Sequence, residues 1–315
     1  APAWDTNEGW KGVGTDNHRL LTDITPEKTY TIAVRYTGQR GTSNAMFGAL
    51  EFSTIAAGAG VQPIVGCQMA LMHDPARPGE KLRLPAPLVL LAQSEAGYLN
   101  LMALSTCLYI EKSGQIPHLT LEDLEAHSEG VICLTGGAEG PVGKFLQTGN
   151  MTRAEALLTR LAAIFPDRLH VELQRHPGEG GRLMEAEAAT ERGFLDLAYA
   201  MGLPIVATND VYFPKADMYE AHDALICIAE GAYVDQAEPR RRLTPQHYFK
   251  TESEMCALFA DLPEALENTV EIARRCAYKV PKIAPLLPKF ADNEVEELRR
   301  QSWEAMGRAL LAEPT

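Results

Sequence analysis

Short apolar runs of strand length recur along the chain, each followed by text of a different period, and this alternation narrows the fold more than any other feature. Pro87-Leu88-Val89-Leu90-Leu91-Ala92 is continuously apolar and leads into a helical pattern around Gly97–Met102. Gly130–Thr135 is a second such run, with a helix expected over roughly Arg153–Phe165. His170–Gln174 precedes a long helix over Arg182–Met201 that stops at Gly202, and Leu203–Thr208 opens into the loop Asn209-Asp210-Val211-Tyr212-Phe213. Upstream, Gly48–Gly60 reads as a helix closed by glycine and Gln62–Cys67 as a buried strand. Strands without a polar face must be covered on both sides, so the expectation is an α/β fold on a parallel sheet, open or closed into a barrel.

The two ends of the chain depart from this alternation. Residues 1–45 are polar and weakly patterned, with one strand-like run at Tyr30–Tyr36. After the last strand come a helix near Met218–Ala229, the basic triplet Arg240-Arg241-Arg242, a helix from Glu254 to Phe259 preceded by Ser253, and another opening at Pro263. A proline-rich stretch from Pro281 to Pro288 leads to a charged helix over Glu294–Leu311. The organisation expected is a leader at 1–45, a barrel domain at 46–280, and a linker with the start of a further connection at 281–315.

With 315 residues, 46% of them hydrophobic, the chain can bury a sizeable core and is not disordered. No run approaches the roughly 20 apolar residues of a membrane span, so no membrane partner is expected. The formal net charge of −13 repels polyphosphate and argues against a stand-alone DNA-binding module. Cys67, Cys107, Cys133, Cys227, Cys256 and Cys276 are scattered without a C-x-x-C pair, which points to reduced, mostly buried thiols and a cytoplasmic protein. The start has no secretory signal and no initiator Met, and the chain is expected to be part of a longer protein.

Chemistry in such folds sits on the loops at the carboxyl ends of strands. Those loops offer Cys67-Gln68, Thr135 to Gly140, Gln174-Arg175-His176 and Asn209 to Tyr212. The glycine loop is either a structural turn or a phosphate cradle, but it lacks the Gly-Lys-Ser/Thr ending of a P-loop. His176 is either a base or ligand, or a solvent-edge residue at a strand end. Asp210 fits a metal or base role as well as an Asx turn. Arg240, Arg241 and Arg242 form a solvated face or a contact to phosphate or an acidic partner. No His-x-His or Asp-x-Asp spacing occurs at these positions, and no Gly-x-Ser-x-Gly elbow is present.

Longer strings carry a family resemblance. Met46–Phe52, Val61–Cys67, Pro204–Val211, Leu243–Lys250 and Leu258–Thr269 resemble, in order and spacing, the N-terminal PHP domain of bacterial DNA polymerase III alpha subunits. The resemblance implies a distorted (β/α)7-type PHP barrel with a helical C-terminal extension. It also implies that polymerisation, with its Mg and its DNA contacts, resides downstream of this segment. Metal-competent members carry a His-x-His pair and further ligands at strand ends. Here Gln68 stands in place of their Glu, Pro87 of a His, Gly137 of a Cys and Tyr212 of a His, and Asp210 alone keeps the pattern.

These departures imply a barrel without metal or cofactor, catalytically silent, that docks the proofreading exonuclease subunit. An active metal-dependent phosphoesterase or 3′–5′ exonuclease of the same fold is the alternative. Residues 1–45 match the resemblance poorly and are read as a divergent or foreign leader, with Ser43-Asn44-Ala45 open to reading as a tag remnant before a start at Met46.

Overall fold

In a computed structural model, residues 58, 60–74, 84–111, 116–236, 243–281 and 289–311 are described. The strands are β1 (Gly66–Leu71), β2 (Ala86–Ala92), β3 (Val131–Leu134), β4 (Leu169–Gln174) and β5 (Ile205–Thr208). The helices are α1 (Glu95–Thr106), α2 (Leu121–Ala126), α3 (Pro141–Gln147), α4 (Met151–Ile164), α5 (Glu185–Met201), α6 (Tyr219–Glu230), α7 (Glu252–Leu258), α8 (Pro263–Arg275) and α9 (Glu294–Leu311). The described residues up to Val280 form one compact unit, and the described residues from Pro281, with α9, form another. The leader, the helix expected at Gly48–Gly60 apart from Gly58 and Gly60, and Arg240–Arg242 lie outside the described residues.

Among the described residues the strands form one sheet in the order β1-β2-β3-β4-β5. It is mixed, which corrects the parallel expectation: β2 runs antiparallel to both β1 and β3, while β3, β4 and β5 are parallel. The reason is visible in β2, whose burial does not reveal its direction: helices cover a strand equally well whichever way it runs. The first strand also shifts, from the expected Gln62–Cys67 to Gly66–Leu71. Pro63 has no N–H to give a ladder, and pairing Met69 with Leu88 and Leu71 with Ala86 buries both apolar side chains.

The two-residue period of the strands sorts the sheet into two faces. Leu88, Leu90, Val131, Cys133, Val171, Leu173, Ile205 and Ala207 join the main core with α1, α4 and α5, where Phe165 and Phe194 are almost fully buried. The opposite face carries Ile132, Leu134 and Val206 against Ile272 of α8 and Cys276, which caps that helix. Asn268 of α8 donates its amide N–H to the Ile205 carbonyl (2.8 Å), satisfying a β5 carbonyl from outside the sheet. Burying each large side chain contributes roughly 1.5–3 kcal/mol, and the core rests on dozens of them.

Local signals set most helix ends. Thr251, not Ser253, caps α7: its hydroxyl accepts from Glu254 N–H while the Glu254 carboxylate accepts from Thr251 N–H. The glycine loop is the start of an unforeseen helix, with a 3₁₀ turn at Gly137–Glu139 followed by α3 with Pro141 in its first turn. All six cysteines are free, four of them buried.

The polar face of β4 includes His170, 2% exposed, whose Nδ1 has no hydrogen-bond partner. Burial, with the Arg275 charge second, pushes its pKa down from 6.5 to about 4. The unfolded chain therefore binds a proton that the folded chain refuses, and stability falls as pH drops from about 6.5 towards 4. His170→Phe should remove about 3 kcal/mol of that acid loss. Urea unfolding at a series of pH values checks this, and an unchanged slope in the variant would contradict it.

Candidate functional site

Glu172 projects from β4 on the same strand face as His170 and Gln174, and it is 3% exposed. Three donors converge on its carboxylate. Gly136 N–H reaches Oε2 at 2.9 Å, Thr208 hydroxyl reaches Oε1 at 2.6 Å, and the Gln174 amide reaches Oε1 at 3.2 Å. The Glu172 N–H in turn donates to Thr135 Oγ1 (2.9 Å). One side chain thus ties the loop after β3 to the end of β5 across β4. Burial pushes the Glu172 carboxyl above the ordinary carboxylate range, and the Asp210 charge adds to this, against the hydrogen bonds of Thr208, Gly136 and Gln174.

The loop after β3 is shaped for this contact. Gly136 has φ +80°, and a Cβ there would stand 2.0 Å from the Pro87 carbonyl oxygen. Only glycine allows β2 and the loop to approach so closely while aiming the Gly136 N–H at Glu172.

Next to Glu172 the chain turns into two further buried polar residues. Arg175, 9% exposed, uses its guanidinium fork on both sides. It donates to both carboxylate oxygens of Glu191 on α5 (2.9 and 2.7 Å), to both of Asp261 (2.6 and 2.9 Å) and to the Leu258 carbonyl (2.8 Å), and it lies over the Phe259 ring. His176 is 1% exposed, which overturns the solvent-edge reading. Its Nδ1 lies 2.6 Å from Glu187 Oε1 and its N–H donates to Glu187 Oε2 (2.8 Å), while Nε2 lies 3.1 Å from Asn209 Oδ1.

Asn209 also holds the segment from Leu243 to Lys250. Its Nδ2 donates to the Tyr248 carbonyl (2.8 Å), and Lys250 Nζ donates to its Oδ1 (3.3 Å) and to the Gln246 carbonyl. The His247 ring stacks on His176 at 3.9 Å, with planes 3° apart. Backbone bonds run from Tyr212 N–H to the His247 carbonyl (2.9 Å) and from Phe249 N–H to the Phe213 carbonyl (3.0 Å). Burial lowers the Lys250 pKa from 10.5 to about 8, against the opposing charges of Glu254 and Glu187.

The sequence-derived positions fall as follows. Gln68 pairs with Val89 on β1 and is exposed, and Pro87 pairs with Ala70 near the start of β2. Both share the strand face of Glu172 by strand alternation. Gly137 lies beside Gln174, with φ +59° and a Cβ position 2.8 Å from Gln174 Oε1. Asp210 acts on Glu172 through its charge, whereas the Tyr212 ring sits against His222 and His247.

A cation cluster does not fit these residues. Proline and glycine present no side-chain ligand, and the buried carboxylate nearest the loop is already engaged by three protein donors. Among the described residues no group of three His, Cys, Asp or Glu side chains is placed to hold a metal ion. Asn209 lies in a strand-end loop that the sequence marks, whereas Glu172, Glu187, His247 and Lys250 are not among its candidates. The one signal for Glu172 was a carboxylate inside an otherwise apolar strand.

The mixed sheet, its covering helices and the polar groups gathered at one end define an α/β domain of the PHP family, to which the chain belongs: residues 21–176 match the PHP domain. That match begins within the first 45 residues. The curated relatives are alpha subunits of DNA polymerase III. The chain is 47% identical to that of Caulobacter vibrioides over 83% of its own length, 36% identical to that of Rickettsia bellii over 80%, and 38% identical to that of Neisseria meningitidis over 78%. It spans 20–23% of the length of these relatives.

Replacing Glu172 by Leu should cost about 3 kcal/mol, because Gly136, Thr208 and Gln174 lose their common acceptor inside the protein. Glu172→Gln should recover most of this, since the Thr208 hydroxyl can rotate and the Gln174 amide can turn over. Urea titration of both variants tests the assignment, and equal losses would show that the hydrogen bonds are not the cause.

Proposed function

We propose that this chain is the PHP segment of a replicative DNA polymerase III alpha subunit, acting in DNA replication as a metal-free scaffold. The observation that carries the reading is the state of Glu172, whose charge is met by Gly136, Thr208 and Gln174 while positions 68, 87, 137 and 212 bear glutamine, proline, glycine and tyrosine. Hydrogen bonds from the protein do here what coordination to cations would otherwise do. The five described strands then belong to a distorted (β/α)7-type barrel. Nucleotidyl transfer, with its Mg and its DNA, belongs to the remainder of a longer polypeptide, in keeping with relatives about four times as long. The segment's own partner is the proofreading exonuclease subunit in the cytoplasm, and Arg240–Arg242 contribute a contact to phosphate or to that partner. No helix among the described residues is long and apolar enough to cross a membrane.

Gly137 adds a second support. A cysteine there would need both a left-handed backbone and the displacement of Gln174, so a single reversion does not rebuild a metal site.

Elemental analysis of protein grown with added Zn and Mn should find well under one ion per chain. Assays with phosphomonoesters and single-stranded DNA should find no hydrolysis, and size-exclusion chromatography with the exonuclease subunit should find a stable complex. Near-stoichiometric metal together with phosphoesterase or exonuclease activity would overturn the scaffold reading in favour of an active metal-dependent enzyme.

A further inference from the structure

The helix α9 is started by its own residues. Asn293 Oδ1 accepts from the Glu296 N–H (3.2 Å), and Glu294, Glu296 and Glu297 put negative charge in the first turn, where the helix dipole favours it. One side of the helix is also satisfied from within, because Arg300 pairs with both Glu297 and Glu304. With roughly 100° between successive residues, the other side gathers Leu298, Val295, Met306 and Trp303 into a stripe about 140° wide. All four are exposed, Leu298 at 68% and Trp303 at 70%. Arg299 falls within the same stripe and has no ion-pair partner among the described residues.

An isolated helix of this length is marginal in water, and an amphipathic one is held by whatever its apolar face meets. The composition of α9 narrows that partner. A membrane-surface helix is rich in Lys and Arg along its polar side, whereas Glu294–Leu311 sets four acidic residues against three basic ones. A seam between two copies needs apolar residues at alternating steps of three and four, and the steps from Val295 to Leu298 run on into Ser302. A stripe this broad suits the core-facing side of a helix in a globular domain. Trp, Met and Arg are also the side chains enriched where protein interfaces are fully buried.

On the reading of the chain as a segment of a longer polymerase subunit, on which this rests, we propose that the stripe docks on the polypeptide beyond residue 315. The receiving surface is an apolar groove that presents a carboxylate to Arg299. Relatives about four times as long leave ample chain to form it. The helix is then a core element of the domain that follows rather than a spacer.

Hydrogen exchange over residues 294–311, measured in the 315-residue chain and in the full polypeptide with α4 as internal control, tests this. In the 315-residue chain α9 should show little protection, and in the full polypeptide its exchange should slow at least about a hundredfold. Leu298→Asp in the full polypeptide should abolish that gain, and Met306→Ala and Arg299→Gln should each cut it about tenfold, with α4 unchanged in all three. Should Leu298→Asp fail to fold, the two milder variants read the same surface. Strong protection in the 315-residue chain would overturn the proposal, in favour of an occupant within this chain if it is independent of concentration and of a second copy if it rises with concentration. An unprotected α9 in a full polypeptide that extends primers, or protection that all the substitutions leave unchanged, would overturn it as well. If the source cells make no polypeptide longer than this chain, the reading of a polymerase segment itself fails, and the docking surface with it.

Discussion

A carboxylate inside an apolar sheet is tolerable only if protein donors meet it, and in this chain that condition organises the whole end of the sheet. Glu172 faces Leu134-side loop, β5 and its own strand at once, so the Gly136 turn, the Thr208 rotamer and the Gln174 amide are not independent choices. The left-handed backbone of Gly136 and the closeness of Pro87 follow from the need to bring one N–H to one oxygen. Asp210, two residues beyond Thr208, then adds a second negative charge near a carboxylate that burial already disfavours.

The neighbouring residues solve the same problem by pairing. Arg175 meets two carboxylates and a carbonyl, and His176 meets one carboxylate and one amide, so consecutive residues of one loop fasten α5, the turn before α8 and the loop after β5. Breaking one partner of such a pair exposes the other to a low-dielectric surround, which is why these contacts hold geometry more firmly than their net contribution to stability suggests.

Much of this was legible in the sequence. The runs at 87–92, 130–135, 170–174 and 203–208 mark β2 to β5 because no polar residue interrupts their core-facing positions. The long helix ending at Gly202 was legible from its period and its stop, although it begins at Glu185 rather than Arg182. Strand direction was not legible, since burial on both faces is indifferent to it. Nor was the fate of His176: the residues that bury and pair it arrive 11 and 33 positions later in the chain, beyond the reach of any local pattern. Glu172 carries no local mark of its role, because Glu between Val and Leu has the pattern of a strand with one wet side. In this fold that side faces other protein groups.

The sheet order, in which each described strand lies beside its neighbours in sequence, bears on how the domain forms. A chain emerging from the ribosome can add each strand to an edge already present, without waiting for a distant partner to complete a ladder. The tie from Asn268 back to Ile205 closes the longest of these loops, 63 residues, and so carries the largest entropic cost, whereas Asn209 to Tyr248, at 39 residues, is of the same order as the strand pairings themselves.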